Sequence, residues 1–329
     1  MKPPSRSILA VALTALAVTP AGCGKDDKPS SSGEAPSEAP AAAGFPEPGN
    51  GSIDDFIAEV GETNEIVASP AGAVFEPGRT RFGFGLFDVA GPQIDDGDVA
   101  IYFQDSKGGK IEGPYTARSE SLEVQSPYKA DGALETDASS VYVADVPLEP
   151  GEHRVVAVLR NDEGDFAATN FQTAINVGSQ PDIPAEGEPA PSIHTPTLDD
   201  VGDVSEIDTR NPPSTMHTED LADVLGKKPV VLLFATPALC LSRVCGPVVD
   251  VAEQVKAEYG DDAAFIHMEI YVDNQYDPKK PDLRPQVEAF GLPTEPWLFV
   301  IDKDGTVQTR IEGAFSVSEL ETELDPLIG

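Results

Sequence analysis

Cys240 and Cys245 bracket the segment Cys240-Leu-Ser-Arg-Val-Cys245-Gly-Pro247, between an apolar strand-like run, Val230–Phe234, and a helix-patterned run, Pro247–Tyr259. Two thiols at a strand-to-helix turn have two chemistries open to them. They can exchange a disulfide with another protein, or they can hold a soft metal ion. The third cysteine, Cys23, closes an N-terminal leader, which leaves Cys240 and Cys245 as the pair available to a folded domain.

The leader bears on where the pair works. Lys2 and Arg6 precede an apolar run, Ile8–Val18, which ends at Thr19-Pro-Ala-Gly22-Cys23. A basic start, a short apolar stretch and small residues describe a secretory signal over residues 1–22. The apolar run, about 11 residues, is short of the roughly 20 needed to span a bilayer. Its Ala21-Gly22-Cys23 end resembles a bacterial lipoprotein signal. That resemblance implies lipidation of Cys23 and a protein held on the extracytoplasmic face of the bacterial cell membrane. Pro20 departs from the pattern, standing where such signals usually carry leucine; ordinary secretion is the other reading.

Residues 23–52 are Lys, Asp, Ser, Glu, Pro, Ala and Gly with little else, Phe45 being the exception. Such a stretch cannot bury enough surface to offset the entropy of ordering it, so a flexible tether is expected. In the whole chain, 57 acidic residues face 22 basic ones, a formal charge of −35. That balance argues against a nucleic-acid partner and against electrostatic adhesion to anionic lipid, both of which call for clustered Lys and Arg.

The remaining chain is long enough for two domains. Over residues 53–178 apolar residues recur with period two between turn signals such as Glu76-Pro-Gly78, Asp95-Asp-Gly97 and Glu149-Pro-Gly151. Seven strands are expected: 65–68, 81–88, 99–104, 121–125, 141–146, 153–160 and 171–177. This punctuation suggests an immunoglobulin-like β-sandwich, though without the cysteine pair and tryptophan of antibody-type domains. No catalytic chemistry is visible here. His153 opens a strand alone, and Asp95, Asp96 and Asp98 crowd a turn without a recognisable calcium-loop spacing.

Residues 179–199 read as a linker, and 192–211 carry no confident element. From residue 200 to 329 the pattern alternates as βαβαββα, a compact α/β sandwich. Val230–Phe234, a cysteine-bearing turn, a helix, a second strand and Gly291-Leu-Pro-Thr-Glu-Pro296-Trp-Leu-Phe-Val-Ile-Asp-Lys-Asp-Gly305 together resemble a thioredoxin-like domain of the exported TlpA type. The resemblance covers about 40% of the chain. It implies thiol–disulfide exchange with exported protein thiols and disulfides, with Cys240, Cys245 and Pro296 as site residues. In that family Pro296 would be a cis-proline facing the cysteines, with Pro293 as the rival candidate.

One departure matters. The family spaces its cysteines Cys-x-x-Cys, and here four residues intervene. Counted from the strand, Cys240 lies near the family's attacking cysteine. Counted back from the helix, Cys245-Gly-Pro247 matches the opening of a Cys-Gly-Pro-Cys site whose second cysteine is Val248. In either register a cysteine meets the helix N-terminus, where backbone donors favour a thiolate, and Arg243 could add to that. Cys240 is the favoured attacking thiol. Thr236-Pro237 also resembles peroxiredoxins, whose cysteine lies closer to that pair. Two alternatives stand beside exchange. Exported relatives of Sco type hold copper with two cysteines and a distant histidine, and Cys240, Cys245 and His267 could do so here. Alternatively the pair is a static clip in a surface binding protein. His194 and His217 have no evident partner, and residues 273–281 form a polar loop near the expected site.

Overall fold

The computed structural model describes residues 33–131, 137–161, 163–240 and 242–328. The segment expected to be a signal peptide, residues 1–22, and Cys23 lie outside them. None of the described helices is long and apolar enough to cross a membrane.

The first domain opens with helix α1 (Ile53–Val60), capped by Ser52 and Asp55 in a reciprocal capping box. Its strands are β1 (Ile66–Pro70), β2 (Gly78–Asp88), β3 (Gln93–Ile94), β4 (Asp98–Asp105), β5 (Glu112–Ser121), β6 (Ser140–Leu148), β7 (Gly151–Arg160), β8 (Phe166–Asn170) and β9 (Ile175–Val177). They join in the order β1-β2-β6-β5-β4-β7-β8, with β3 on β2 and β9 on β7. Every strand pair is antiparallel. Strand β5 turns the corner: residues 112–117 pair with β4 and residues 118–121 with β6. Isolated bridges from Ala68 to Phe171 and from Phe75 to Val177 tie the first strands to the last, so the sheet nearly closes. Its interior holds Phe82, Phe84, Leu86, Tyr142 and Val155.

Three expectations change here. The strand expected over 121–125 lies earlier, as β5, because its residues are half-buried and polar and show no clean alternation. Of the strand expected over 171–177 only β9 forms, and β8 lies before it. The tether expected over 23–52 is docked from Ser37 onward. Phe45, its one large side chain, is buried against Phe166 beneath the Arg160 guanidinium, and Ser37 bonds the backbone of Ser119 in both directions.

The second domain contains α2 (Leu221–Val224), β10 (Val230–Phe234), α3 (Cys245–Tyr259), β11 (Ala264–Met268), α4 (Pro285–Ala289), β12 (Trp297–Ile301), β13 (Val307–Glu312) and α5 (Val317–Leu324). The sheet order is β11-β10-β12-β13, with β10 and β11 parallel and the other pairs antiparallel. Strands β10, β11 and β12 are buried throughout, as apolar runs covered on both faces must be. Val231, Leu233 and Leu298 meet α3 and α5 on one face. Leu232, Phe234 and Phe299 meet Val287 and Phe290 on the other.

The two domains form one compact unit over residues 31–329. Leu122, Val141 and Val143 of the first domain share a core with α3 and α5 of the second. Around it Arg81 and Arg118 both pair with Glu319, and Glu312 accepts the Ala73 and Val74 amides. A side chain at Gly313 (φ 84°) would run into the Ala71 carbonyl, so only glycine allows this approach.

Candidate functional site

Helix α3 begins at Cys245, with Pro247 at its third position, where a missing N–H costs nothing. No side chain caps this end. Its first-turn amides and the helix dipole therefore face the cysteines. Cys240 and Cys245 are joined as a disulfide, their Cα atoms 6.0 Å apart. Leu241, within the loop, lies outside the described residues. Arg243 takes a left-handed backbone (φ 63°), which turns the chain back into the helix.

The two sulfurs differ in access. Cys245 is fully buried, in the core with Val248 and Val249. Cys240 is part-exposed, with its Sγ 3.2 Å from the Ser242 hydroxyl. Counting back from the helix thus finds Cys245 at the first helical position, and exposure finds Cys240 on the reachable side. The Glu295–Pro296 bond is cis, whereas Pro293 is trans. Phe234 lies opposite Trp297 in the sheet, so Pro296 follows one step beyond, beside the start of the cysteine loop. Trp297 is buried and donates its indole N–H to Thr294.

A cleft of about 670 Å³ opens over Cys240. Pro237, Ala238, Arg243, Gly246 and Pro247 form one wall, and Phe87, Leu122, Val124 and Ser139 of the first domain form the other. The walls are held together close to the sulfurs. The Ala138 amide donates to the Arg243 carbonyl (3.1 Å), and the Ala130 amide donates to Asp250 of α3 (3.0 Å). Burial raises the Asp250 carboxyl above its ordinary range, against the opposing pull of the Ala130 amide and Arg210. The loop over 273–281 lines none of this cleft; Asn274 instead donates to the Ser205 carbonyl.

His267 does not face the thiols. One ring nitrogen, Nε2, contacts the Ala235 carbonyl (3.0 Å). The other, Nδ1, lies 3.5 Å from Asp208 and 3.3 Å from the Ser214 hydroxyl. Asp208 also accepts from His217 Nε2 (2.8 Å) and from the Ser214 and Arg210 amides, both at 2.7 Å. Burial pulls the His267 imidazole down, but the Asp208 hydrogen bond and charge outweigh it and hold the ring above its usual value. Burial works the other way on Asp208, and its histidine partners still hold it far below the carboxylate range. For His217 burial prevails and the ring stays neutral more readily than usual. The cluster reaches the cysteine loop in one step. Glu269 accepts from the Thr209 amide and hydroxyl, each at 2.7 Å, and the same hydroxyl accepts from the Ala238 amide (3.1 Å).

Asp208, Thr209 and Ser214 escaped the sequence reading because residues 192–220 follow neither helical nor strand periodicity. One signal was present: His267 and Glu269, two apart on an apolar strand, share a face, and buried ionisable groups need partners. Among the other expected candidates, His194 pairs with Asp220 (2.7 Å) and His153 with the Glu149 carbonyl (2.8 Å). Asp98 pairs with Arg160.

No protein-family model matches the chain, and no curated protein matches it. Solved structures similar to it include a Chlorobium tepidum protein assigned as the thiol:disulfide interchange protein DsbE, with 18% identity over 44% of this chain and 99% of that one (TM-score 0.31). A second Chlorobium tepidum thiol:disulfide interchange protein of the thioredoxin family is 20% identical over the same shares (TM-score 0.31). A thioredoxin-like superfamily protein is 20% identical over 34% of this chain and 86% of its own (TM-score 0.27).

Proposed function

We propose that the chain is an extracytoplasmic thiol–disulfide exchange protein working through Cys240 and Cys245. The observation that carries this reading is the placement of the disulfide: it closes over the uncapped N-terminus of α3 with one sulfur reachable and the other buried. In the dithiol form, the Cys240 thiolate attacks a substrate disulfide. That forms a Cys240–substrate disulfide and releases one substrate thiolate. The Cys245 thiolate then attacks the Cys240 sulfur, restores the intramolecular disulfide and releases the second substrate thiolate. Two electrons pass to the substrate, and a donor dithiol returns them by the reverse sequence. The helix N-terminus favours each thiolate as it forms, and cis-Pro296 would line the backbone beside the mixed disulfide. Lipidation at Cys23 would keep this cleft at the membrane. The β-rich domain, read as an immunoglobulin-like module, serves as the second wall of the cleft.

The test is trapping. A Cys245→Ser variant should accumulate a covalent adduct with a disulfide substrate, and a Cys240→Ser variant should not. The wild-type pair should titrate between roughly −120 and −270 mV in thiol buffers. No adduct in either variant, with a potential below about −300 mV, would make the pair a static clip.

A further inference from the structure

The loop over residues 204–217 reaches the outer edge of β11, where the Met216 carbonyl accepts the His267 amide (3.0 Å), and has little regular structure, a short 3₁₀ turn at Val204–Glu206. It nevertheless brings Asp208 and His217 against His267, and all three side chains are almost wholly inaccessible to solvent. One donor atom from each lies within 4.8 Å of the others. We infer that Asp208 Oδ2, His217 Nε2 and His267 Nδ1 form a site for one divalent cation of the Zn(II) class, which pins this loop to the sheet under the cysteine loop.

Four observations support the site. The first is spacing. Tetrahedral zinc with bonds of about 2.0–2.2 Å sets its ligand atoms roughly 3.3–3.5 Å apart; Asp208 Oδ2 lies 3.5 Å from His267 Nδ1, and its 2.8 Å hydrogen bond to His217 Nε2 has to open by about 0.5 Å to admit the ion. The second is orientation. His267 turns its other nitrogen to the Ala235 carbonyl, and Asp208 is fixed by two backbone amides, the kind of outer contacts that hold metal ligands in place. The third is a buried negative charge. Glu269, 1% exposed, leaves Oε2 without a hydrogen-bond partner and acts electrostatically on both histidines. That buried carboxylate adds negative charge beside the site, as it also does toward Arg284. The fourth is donor chemistry. Two imidazoles and a carboxylate are too few oxygens for calcium and lack the thiolates that favour Cu(I). On binding, the cation takes the place of two protons: the one His267 Nδ1 shares with Asp208 is released to solvent, and the one His217 Nε2 donates to Asp208 shifts to His217 Nδ1, which has no hydrogen-bond partner among the described residues.

The full chain, stripped with chelator while unfolded and refolded with Zn(II) or Co(II), provides the test. The expected result is one equivalent of metal after dialysis and a visible Co(II) spectrum of nitrogen and oxygen ligation without thiolate charge-transfer bands. Asp208→Asn and His217→Gln should weaken binding at least tenfold, and the Cys240→Ser/Cys245→Ser double variant should bind as the wild type does. The proposal is overturned by refolded wild type without stoichiometric metal, by full affinity in Asp208→Asn, or by loss of metal in the double serine variant. If Asp208→Asn does not fold, the wild-type Co(II) spectrum decides alone, since thiolate bands would place the metal on the cysteines instead.

Discussion

The first domain grips the second at two places, and the grips are made differently. At α5 the contact is ionic and half-buried. Arg81 donates to Glu319 (2.8 and 2.9 Å) and to the Ala314 carbonyl (2.8 Å). Arg118 joins Glu319 (3.1 Å) to Glu120, and Ser316 donates to Glu120 (2.7 Å). Beside the cysteines the first domain offers mainly backbone: the Gln125, Ala130, Asp131 and Ala138 amides donate to acceptors across the seam. An ionic seam fails as a unit, because removing one partner leaves a buried charge behind. Amide bonds can open singly, each for about 1 kcal/mol where the acceptor is neutral and about 1.5–3 kcal/mol for the Ala130 amide on the Asp250 carboxylate. The first grip is therefore the more costly of the two to break at any single residue.

Arg81→Ala tests that contrast most severely. Glu319 would then stand beside Glu120 with Arg118 alone, and a broken buried pair costs about 3–5 kcal/mol. Urea unfolding should show that loss, while the exchange rate per folded molecule stays at the wild-type level. An equal fall in exchange would mean that the two grips act as one.

Acid should find the same seam. Burial raises the Glu319 carboxyl, but the charge and hydrogen bond of Arg81 outweigh it, so its value in the fold lies below the ordinary one. A depressed carboxylate contributes stability that is present above its unfolded value, about 4.3. That contribution is lost as pH falls through the lower folded value. Glu120 runs the other way, its carboxyl raised by burial and by the neighbouring Glu319 charge. It therefore costs stability once pH exceeds its unfolded value. Glu319→Gln should flatten the acid limb of a stability–pH profile below about pH 4.3, and Glu120→Gln should not. Identical acid limbs in wild type and Glu319→Gln would remove Glu319 as the source of the ionic grip.

The α/β domain was legible because its strands are apolar runs between turn residues. Val230–Phe234 and Trp297–Ile301 are buried on both faces and read so directly. The fusion of the domains left a fainter trace. On β6 the residues Val141, Tyr142, Val143 and Ala144 are all buried, since Tyr142 and Ala144 face the barrel interior while Val141 and Val143 face α3 and α5. A strand that does not alternate has something on its outer face, but the sequence does not say what. Strand β7 shows the same pattern, with Val156 and Val158 covered by Phe56 of α1 and by the docked Phe45. The C-x4-C pair was legible as chemistry and its roles were not, because exposure depends on the first domain's packing. His267 stood out as a candidate ligand. Its partners, nine residues apart in an aperiodic loop, were beyond any pattern-based reading.

The smallest expected effect sits where the cysteine loop meets the buried cluster. Thr209 is the hinge, since its hydroxyl donates to Glu269 and accepts from the Ala238 amide. Thr209→Val keeps the shape and removes both contacts, leaving the Ala238 amide without its acceptor. The cost should be about 1.5–3 kcal/mol, set mainly by the bond to the Glu269 carboxylate, and so below that of Arg81→Ala. Its location is the informative part. Hydrogen exchange at the Ala238 amide should speed up while amides in β12 keep their protection, and the potential of the Cys240–Cys245 pair should move. Arg81→Ala should do the reverse, lowering protection across both domains and leaving the potential unchanged. If Thr209→Val loosens β12 as much as Ala238, the cysteine loop is no softer than the sheet beneath it, and the distinction between a costly grip and a cheaper one fails at the point where substrate would enter.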